Sequence, residues 1–325
     1  MNGHPLTDEI VGVDVGGTKT HLAAIDGAGT RRDAIVSSSH WRTGHLFSDG
    51  ANLPRLAEWI RSTAVLDRQS RVVIGLRDCD TDAELEQARH AIAASLGLPV
   101  RIENDADLLA PASGDGPAIA MIVGTGAIVS ARTAQGDRIA VDGYGWLFGD
   151  WGSGPGIVRD AIGRVLMAAD NGELVAGDAL ARELFDHFGA RDAAALAAAA
   201  TIAASPANWG SAASRVFDAA AEGSALALDT IAAAADRLAA SVDAVVRRGG
   251  VGDRVVAAGG VIVNQPSFFT AVARRLETIP HPRRLQLLDA APVEGALRLA
   301  VLATPPTPTT PLTQPTPTGH GLTMV

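Results

Sequence analysis

The sequence predicts an α/β protein made of two similar halves, and three observations carry that prediction. An apolar run over residues 10–16 meets a Gly-Gly turn and returns as a second apolar run. The same strand–glycine–strand pattern recurs around Gly124-Thr125-Gly126. Elsewhere, apolar runs of strand length alternate with segments of helical period. At 325 residues the chain is too long for one small core and suits two domains.

Taken in order, residues 10–16 read as a buried strand. Residues 21–26 are its hairpin partner across Gly16-Gly17-Thr18-Lys19-Thr20. A third strand, 33–38, follows the Gly27-Ala28-Gly29 turn. A helix is expected at 52–65 and a strand at 71–76. Thr81-Asp82-Ala83-Glu84 has the form of a capping box, opening a helix that runs to Leu96. A short strand at 99–103 ends on Asn104-Asp105. The order β-β-β-α-β-α-β-α resembles the ribonuclease-H-like fold. The second half starts at Pro117, with strands at 118–123, 127–132 and 138–141 and a glycine-rich stretch at 143–156. A helix at 157–169 and alanine-dense helices over 177–249 follow. A strand at 254–261 runs into Gly259-Gly260, then come a helix at 268–277, a strand at 284–288 and a last helix at 293–303. The expected architecture is therefore two ribonuclease-H-like domains, 1–115 and 116–303, facing across a cleft. The last helix, 292–303, is placed to pack back on the first domain. Residues 304–325 are rich in Pro and Thr without an apolar period, so disorder is expected there.

Bulk properties narrow the function. Hydrophobic residues make up 47% of the chain, enough for a large core, yet no uncharged apolar run reaches the ~20 residues needed to span a bilayer. The first nine residues lack the basic and apolar regions of a secretory signal. A net charge of −9 argues against nucleic acid as a partner. The single cysteine, Cys79, excludes an internal disulfide or a cysteine metal cage within one chain. The eight histidines show no metal-ligand spacing. A soluble, cytoplasmic enzyme acting on a small molecule is the expectation, with no membrane partner. Lys19 is the single lysine among 27 basic side chains, but arginine predominates throughout, so compositional bias accounts for part of that.

Three glycine segments carry chemistry. Asp14-Val15-Gly16-Gly17-Thr18-Lys19-Thr20 places a carboxylate at a strand end, then two glycines, then Thr-Lys-Thr. Glycines let the backbone approach an anion, while amides and Thr hydroxyls supply donors. Asp14 can hold a hydrated Mg²⁺. The segment is neither a P-loop nor a Rossmann turn, because its glycines join two strands. Alone it also suits an ordinary hairpin. Gly124-Thr125-Gly126 alone suits a plain turn. Gly259-Gly260, followed by Val261-Ile262-Val263-Asn264, alone suits strand-to-helix packing.

In this order and spacing, the three segments resemble the phosphate-1, phosphate-2 and adenosine motifs of the actin, Hsp70 and sugar-kinase ATPase superfamily. With Asn104-Asp105 and Gly149-Asp150-Trp151-Gly152-Ser153 they resemble the N-acetylglucosamine kinase group, within the benzoyl-CoA reductase activator-type ATPase family, over residues 9–303. The resemblance implies ATP and Mg²⁺ in an interdomain cleft. The phosphates would lie between Gly16, Gly17 and Thr18, with Lys19 and Thr20 nearby, and Gly124, Thr125 and Gly126. The adenosine would lie against Gly259, Gly260 and Asn264, and Asp14 would hold the metal through water. It further implies transfer to the 6-hydroxyl of an amino sugar, N-acetylglucosamine or glucosamine, with Asp105 as general base. Asp105 precedes Leu108-Leu109-Ala110, so it also suits a helix N-cap. Asp107, two residues on, reads as a surface or capping acid. Sugar contacts are implied for Ser39, His40, Asn104, Thr125, Gly143, Tyr144, Gly145 and Asp150, though His40 also suits a solvated loop histidine and Asp150 also suits ordering of Mg²⁺.

The chain departs from the group's pattern at four places. Ser39 stands where an Asn is expected, Tyr144 where a Trp is expected, and Trp151 where an acid follows Asp150. Arg77 replaces a small turn residue and could narrow the pocket or meet an anionic substituent. A homodimer is compatible with the resemblance. Two other classes stay open. A redox-activator ATPase would need two cysteines per chain for a shared iron–sulfur cluster. A sugar-binding homologue without catalysis would differ in its loop at Trp151. With the first strand expected to start at about Glu9, a kinase-like repressor with an N-terminal DNA-binding module is not expected.

Overall fold

The structure, a computed structural model, describes residues 9–114 and 116–303. The Pro- and Thr-rich tail lies outside the described residues. One sheet contains β1 (Ile10–Val15), β2 (Lys19–Ile25), β3 (Arg31–Ser37), β4 (Arg71–Leu76) and β5 (Val100–Asn104), in the order β3-β2-β1-β4-β5. A second sheet contains β6 (Ile119–Val123), β7 (Ala127–Arg132), β8 (Arg138–Asp142), β9 (Arg254–Ala258) and β10 (Arg284–Leu287), in the order β8-β7-β6-β9-β10. In each sheet the first three strands form an antiparallel meander, and the last two run parallel to the first. The two halves repeat one topology, as the paired glycine hairpins predicted.

Strands β1 and β4 are buried almost throughout, because both faces of the first sheet are covered. Val11, Val13 and Val15 pack with Leu56 and Ile60 of helix Asn52–Thr63 and with Ile92 of helix Asp82–Leu96. The Thr81–Glu84 capping box opens the latter helix as expected. Alternation turns Gly12 to the opposite face, where helix Val293–Leu302 lies. A Cβ on Gly12 would fall 2.7 Å from Leu297 N, and one on Gly295 would fall 2.0 Å from Leu108 O. Helix, strand and the Asp105–Leu108 turn therefore meet backbone to backbone. Gly295→Ala is expected to destabilise the fold by about 2–3 kcal/mol through overpacking, and to lower activity too, because it pushes on the turn that carries Asp105. Thermal melting alongside an activity assay checks both effects.

The second sheet packs its core against helices Gly154–Asp170, Ala225–Arg247 and Pro266–Thr278. The alanine-dense segment breaks into helices Ala179–Phe188, Ala193–Ile202, Pro206–Ser211, Ala213–Ala221 and Ala225–Arg247. The breaks fall at polar caps: Asp178, Asp192, Ser205 and Ser224 each accept from the backbone N–H three residues on. Two of the differences from expectation have a clear local cause. Helix Gly154–Asp170 starts earlier, because Ser153 caps it and Pro155 fits its first turn. Strand β9 stops at Ala258, because Gly259 adopts φ +112°, and residues Gly260–Asn264 form a short helix.

The halves are tied by charge. Asp107 accepts from Ser130 Oγ at 3.0 Å and pairs with Arg138 Nε at 3.0 Å. Glu103 pairs with Arg132 at 2.5 Å, and Arg138 Nη1 donates to Asp80 O at 3.1 Å. Asp107 is thus no surface acid. Its side chain is buried where the Asp105–Leu108 turn faces β7 and β8. Burial raises its pKa, and the two arginines oppose that rise.

Candidate functional site

Parallel strands β1, β4 and β5 all end on the same edge of their sheet, where open α/β sheets place ligands. Asp14, Arg77 and Asp105 sit at those three ends. From the other half, β6 ends on Gly124-Thr125-Gly126 and β9 on Gly259-Gly260.

The first turn is narrower than the sequence suggested. Gly16 N–H donates to Lys19 O at 3.0 Å, so Gly17-Thr18 is the loop and Lys19 and Thr20 belong to β2. Ser38 holds this loop from behind: its N–H donates to Thr18 O at 2.9 Å and its Oγ to Gly16 O at 2.8 Å. Sequence reasoning chose Ser39 and missed Ser38, and a serine pair offers no signal to separate them. Ser39 is exposed with its Oγ 2.7 Å from Ser37 Oγ, and His40 is exposed on the same 3₁₀ turn. Thr20 is corrected. It is fully buried, accepts from Trp41 Nε1 at 3.0 Å and lies 3.1 Å from Ser38 Oγ, so its hydroxyl braces the hairpin instead of facing phosphate. Lys19 is exposed at the start of β2.

Asp14 is buried, and burial pushes its pKa up to about 6 against the opposing charges of Lys19 and His21. Asp105 opens the Asp105–Leu108 3₁₀ turn. Burial, reinforced by the nearby Asp14 charge, pushes its pKa up to about 7, while Arg77 and the Ala106 N–H pull the other way. Asn104, not Asp105, occupies the N-cap position and accepts from Ala106 N at 3.1 Å. Asn104 is corrected as a sugar ligand. It is buried, and its Nδ2 donates to Cys79 O and Asp80 Oδ1, both at 3.0 Å. All three hydrogen bonds lie within the first half, so the side chain orients the Asp105 turn.

The second turn is closed by Gly124 N–H donating to Gly126 O at 2.9 Å, and Gly154 N–H donates to Gly124 O at 2.8 Å. Thr125 is exposed at its tip. A Cβ on Gly259 would lie 2.4 Å from Val123 O, so the second turn and the Gly259-Gly260 loop form one packed backbone surface. Asn264 donates to Gly260 O at 2.8 Å and holds that loop.

The glycine-rich segment is organised by Asp142, which sequence reasoning missed. Its two carboxylate oxygens accept from Asp150 N and Trp151 N, each at 2.8 Å. Among the described residues, the non-glycine residues with positive φ are Asp78, Asp142 and Asp150, all flanking the cleft. Such strain concentrates where side chains must be aimed. Asp150 Oδ2 would lie 3.2 Å from a Cβ on Gly126, so its carboxylate rests on the second turn. Burial and the Asp142 charge push its pKa up to about 6. Gly143 and Gly145 turn with φ of +82° and +83°, and Tyr144 between them is 76% exposed. Trp151 lies between two guanidiniums, Arg159 at 4.3 Å and Arg237 at 3.8 Å from the ring centroid. Arg159 also donates to Trp146 O and Gly149 O, so it braces the loop.

Among the described residues no three His, Cys, Asp or Glu side chains gather as a metal cage. A cavity of about 980 Å³ opens along the interdomain seam beside Arg101, Asp107, Ser130 and Arg132. It is lined by none of Asp14, Asp105, Gly124, Asp150 or Gly259.

No protein-family model matches the chain. It is 26% identical over 174 residues to the N-acetyl-D-glucosamine kinase of Dictyostelium discoideum, over 49% of this chain and 54% of that protein. The chain thus spans about half the length of that curated relative. Its fold is similar to a candidate N-acetylglucosamine kinase from Chromobacterium violaceum, with TM-score 0.64 at 23% identity, covering 90% of this chain and 98% of that one. A second candidate N-acetylglucosamine kinase, from Porphyromonas gingivalis, gives TM-score 0.59 at 19% identity, over 89% and 97% of the two chains. A ROK hexokinase from Thermus thermophilus gives 0.52 at 19% identity, over 90% and 97%. These likenesses show that the chain has the two-domain fold of those three proteins.

Proposed function

We propose that the chain is an ATP-dependent kinase for the 6-hydroxyl of an amino sugar, N-acetylglucosamine or glucosamine. We place it in the N-acetylglucosamine kinase group of the benzoyl-CoA reductase activator-type family. One observation carries the reading: a half-buried Asp105, its pKa pushed up to about 7, interacts with the Asp14 charge in a cleft bordered by glycine turns from both halves.

ATP would lie with its phosphates between Gly16-Gly17-Thr18 and Gly124-Thr125-Gly126 and its adenosine on Gly259-Gly260. Backbone donors and close approach need no side chain at these positions. Asp14 suits Mg²⁺: it is a hard oxygen donor at a strand end, and Lys19 and His21 only partly offset the cost of burying its charge. With no cage of carboxylates around it, the ion would keep most of its waters. Bound there, Mg²⁺ would neutralise charge on the β- and γ-phosphate oxygens. Asp105 accepts the proton of the attacking hydroxyl as its oxygen bonds to the γ-phosphorus. The bond to the β–γ bridging oxygen breaks, and ADP leaves. Asp150 and the backbone at Gly143 and Gly145 orient the sugar, with Ser39 and His40 at the rim. Closure of the halves excludes water and limits hydrolysis of ATP.

Cys79 bears on the redox-activator alternative. Its thiol is fully buried and burial pushes its pKa up to about 12, the opposite of a thiolate presented to a shared cluster. No helix among the described residues is long and apolar enough to cross a membrane. The reading places the enzyme in the cytoplasm with its ATP, and sedimentation analysis tests whether it is a homodimer. The deciding experiment couples ADP release to a panel of N-acetylglucosamine, glucosamine, N-acetylmannosamine and glucose, with mass spectrometry locating the phosphate. ADP release with an amino sugar and a 6-phosphate product is expected. A protein that binds ATP yet transfers to none of these sugars is instead a non-catalytic homologue.

A further inference from the structure

Arg77 follows β4 directly, and its backbone N–H donates to Val15 O at 3.0 Å, which fixes the root of the side chain beside the first turn. A Cβ on Gly17 would fall 2.5 Å from Arg77 Nη1, and a Cβ on Gly126 would fall 3.2 Å from Arg77 Nη2. The two ends of one guanidinium therefore touch two glycine turns, one from each half. Asp78 Oδ1 is 3.4 Å from Nε, and the Gly126 position that Nη2 approaches also lies 3.2 Å from Asp150 Oδ2. The side chain is 28% exposed, so it borders the cleft instead of the core.

Arg77 is also in charge interaction with Asp105 and Asp150, so it stands at the boundary between the sugar side and the phosphate side of the cleft. Arg77 sits where two anion-cradling backbones face each other, and a planar fork of donors matches phosphate oxygens there. The glycines at 17 and 126 are what leave it room. We propose that Arg77 binds the γ-phosphate of ATP between the two turns and stabilises the phosphoryl group as it passes to the sugar. This rests on the kinase reading and deepens it. The sugar oxygen bonds to the γ-phosphorus, its proton goes to Asp105, and the bridging bond breaks to release ADP. Charge spreads over the equatorial phosphoryl oxygens in that step, and a guanidinium already in place stabilises it without reorganisation. The fork rests on Gly17 and Gly126, where phosphate oxygens would replace those contacts.

The test compares the full chain with Arg77→Met and Arg77→Lys. It measures kcat and KM with the accepted sugar, and calorimetric affinities for a non-hydrolysable ATP analogue and for ADP. Arg77→Met is expected to lower kcat about 100- to 1000-fold with the sugar KM unchanged, and to erase the preference for the analogue over ADP. Arg77→Lys should recover part of kcat through its charge, but not all, because it lacks the fork. It also serves as the control if the Met variant fails to fold. Wild-type kcat and analogue preference in both variants would overturn the proposal, as would a rise in sugar KM alone. If the wild type transfers phosphate and the variants are unaffected, only the role of Arg77 falls. If no sugar is phosphorylated but the variants still lose analogue preference, the kinase reading falls and the γ-phosphate contact stands.

Discussion

Asp105→Asn is expected to abolish phosphate transfer, spare ATP binding and raise the melting temperature of the nucleotide-free protein. The first effect follows from losing the proton acceptor, and general bases contribute about 10²–10⁴-fold on their own. Asn keeps the shape and can still accept from Ala106 N, the contact Asp105 Oδ1 makes at 2.9 Å. The third effect follows from the pKa, which burial and Asp14 raise from 3.8 to about 7. Below pH 3.8 the acid is protonated in both states and does not bias folding. As pH rises from there to about 7, the unfolded chain releases its proton while the folded chain holds it, so stability falls across that window. Above it the deficit stays in full, on the order of 2–4 kcal/mol for a shift of about three pKa units. The gain in melting temperature should therefore be large at pH 8 and vanish near pH 4. The same titration predicts that wild-type kcat/KM falls on the acid side of about pH 7, as the base becomes protonated. Full transfer by Asp105→Asn, or a lower melting point at pH 8, would remove Asp105 from the role.

Asp14→Ala is expected to be more damaging than Lys19→Met, though Lys19 is the more conspicuous residue in the sequence. Asp14 is buried at the end of β1, next to Asp105 in charge interaction, and belongs to the fixed floor of the cleft. Lys19 is exposed on β2 and reaches the site only as a charge that lowers the Asp14 pKa. A solvent-exposed charge is screened by salt. Loss of Asp14 should cut kcat/KM for ATP by about 100-fold or more and raise the Mg²⁺ concentration needed for half activity. Lys19→Met should stay within about tenfold, with an effect that shrinks at high salt. Steady-state kinetics with a Mg²⁺ titration settles the order. If Lys19→Met is the worse variant, the first turn works through its lysine.

Much of the fold was legible because its signals are local. The buried runs at β1, β4 and β9, the Thr81–Glu84 capping box and the glycine turns each announce themselves within a few residues. The site was legible only in outline. Asp14 and Asp105 interact, and Asp150 and Gly259 pack on the second glycine turn, but Thr20 and Asn104 look polar and available in sequence and are spent on Trp41, Cys79 and Asp80. Their partners lie 21, 25 and 24 residues away, beyond any local pattern. Asp142 and Ser38 went unnoticed for the converse reason, as ordinary residues that become organisers only where loops meet.

By itself the sequence determined that this chain is an acidic α/β protein with two hairpin-led halves and glycine turns fit for phosphate. Periodicity, turn chemistry and composition are written residue by residue. Only the tertiary structure decided that Asp107 ties the halves together, that Trp151 lies between two arginines, and that Arg77 spans the two turns. Each of those depends on which faces of distant strands are brought within a few ångströms, and that is set by the packing of both sheets at once.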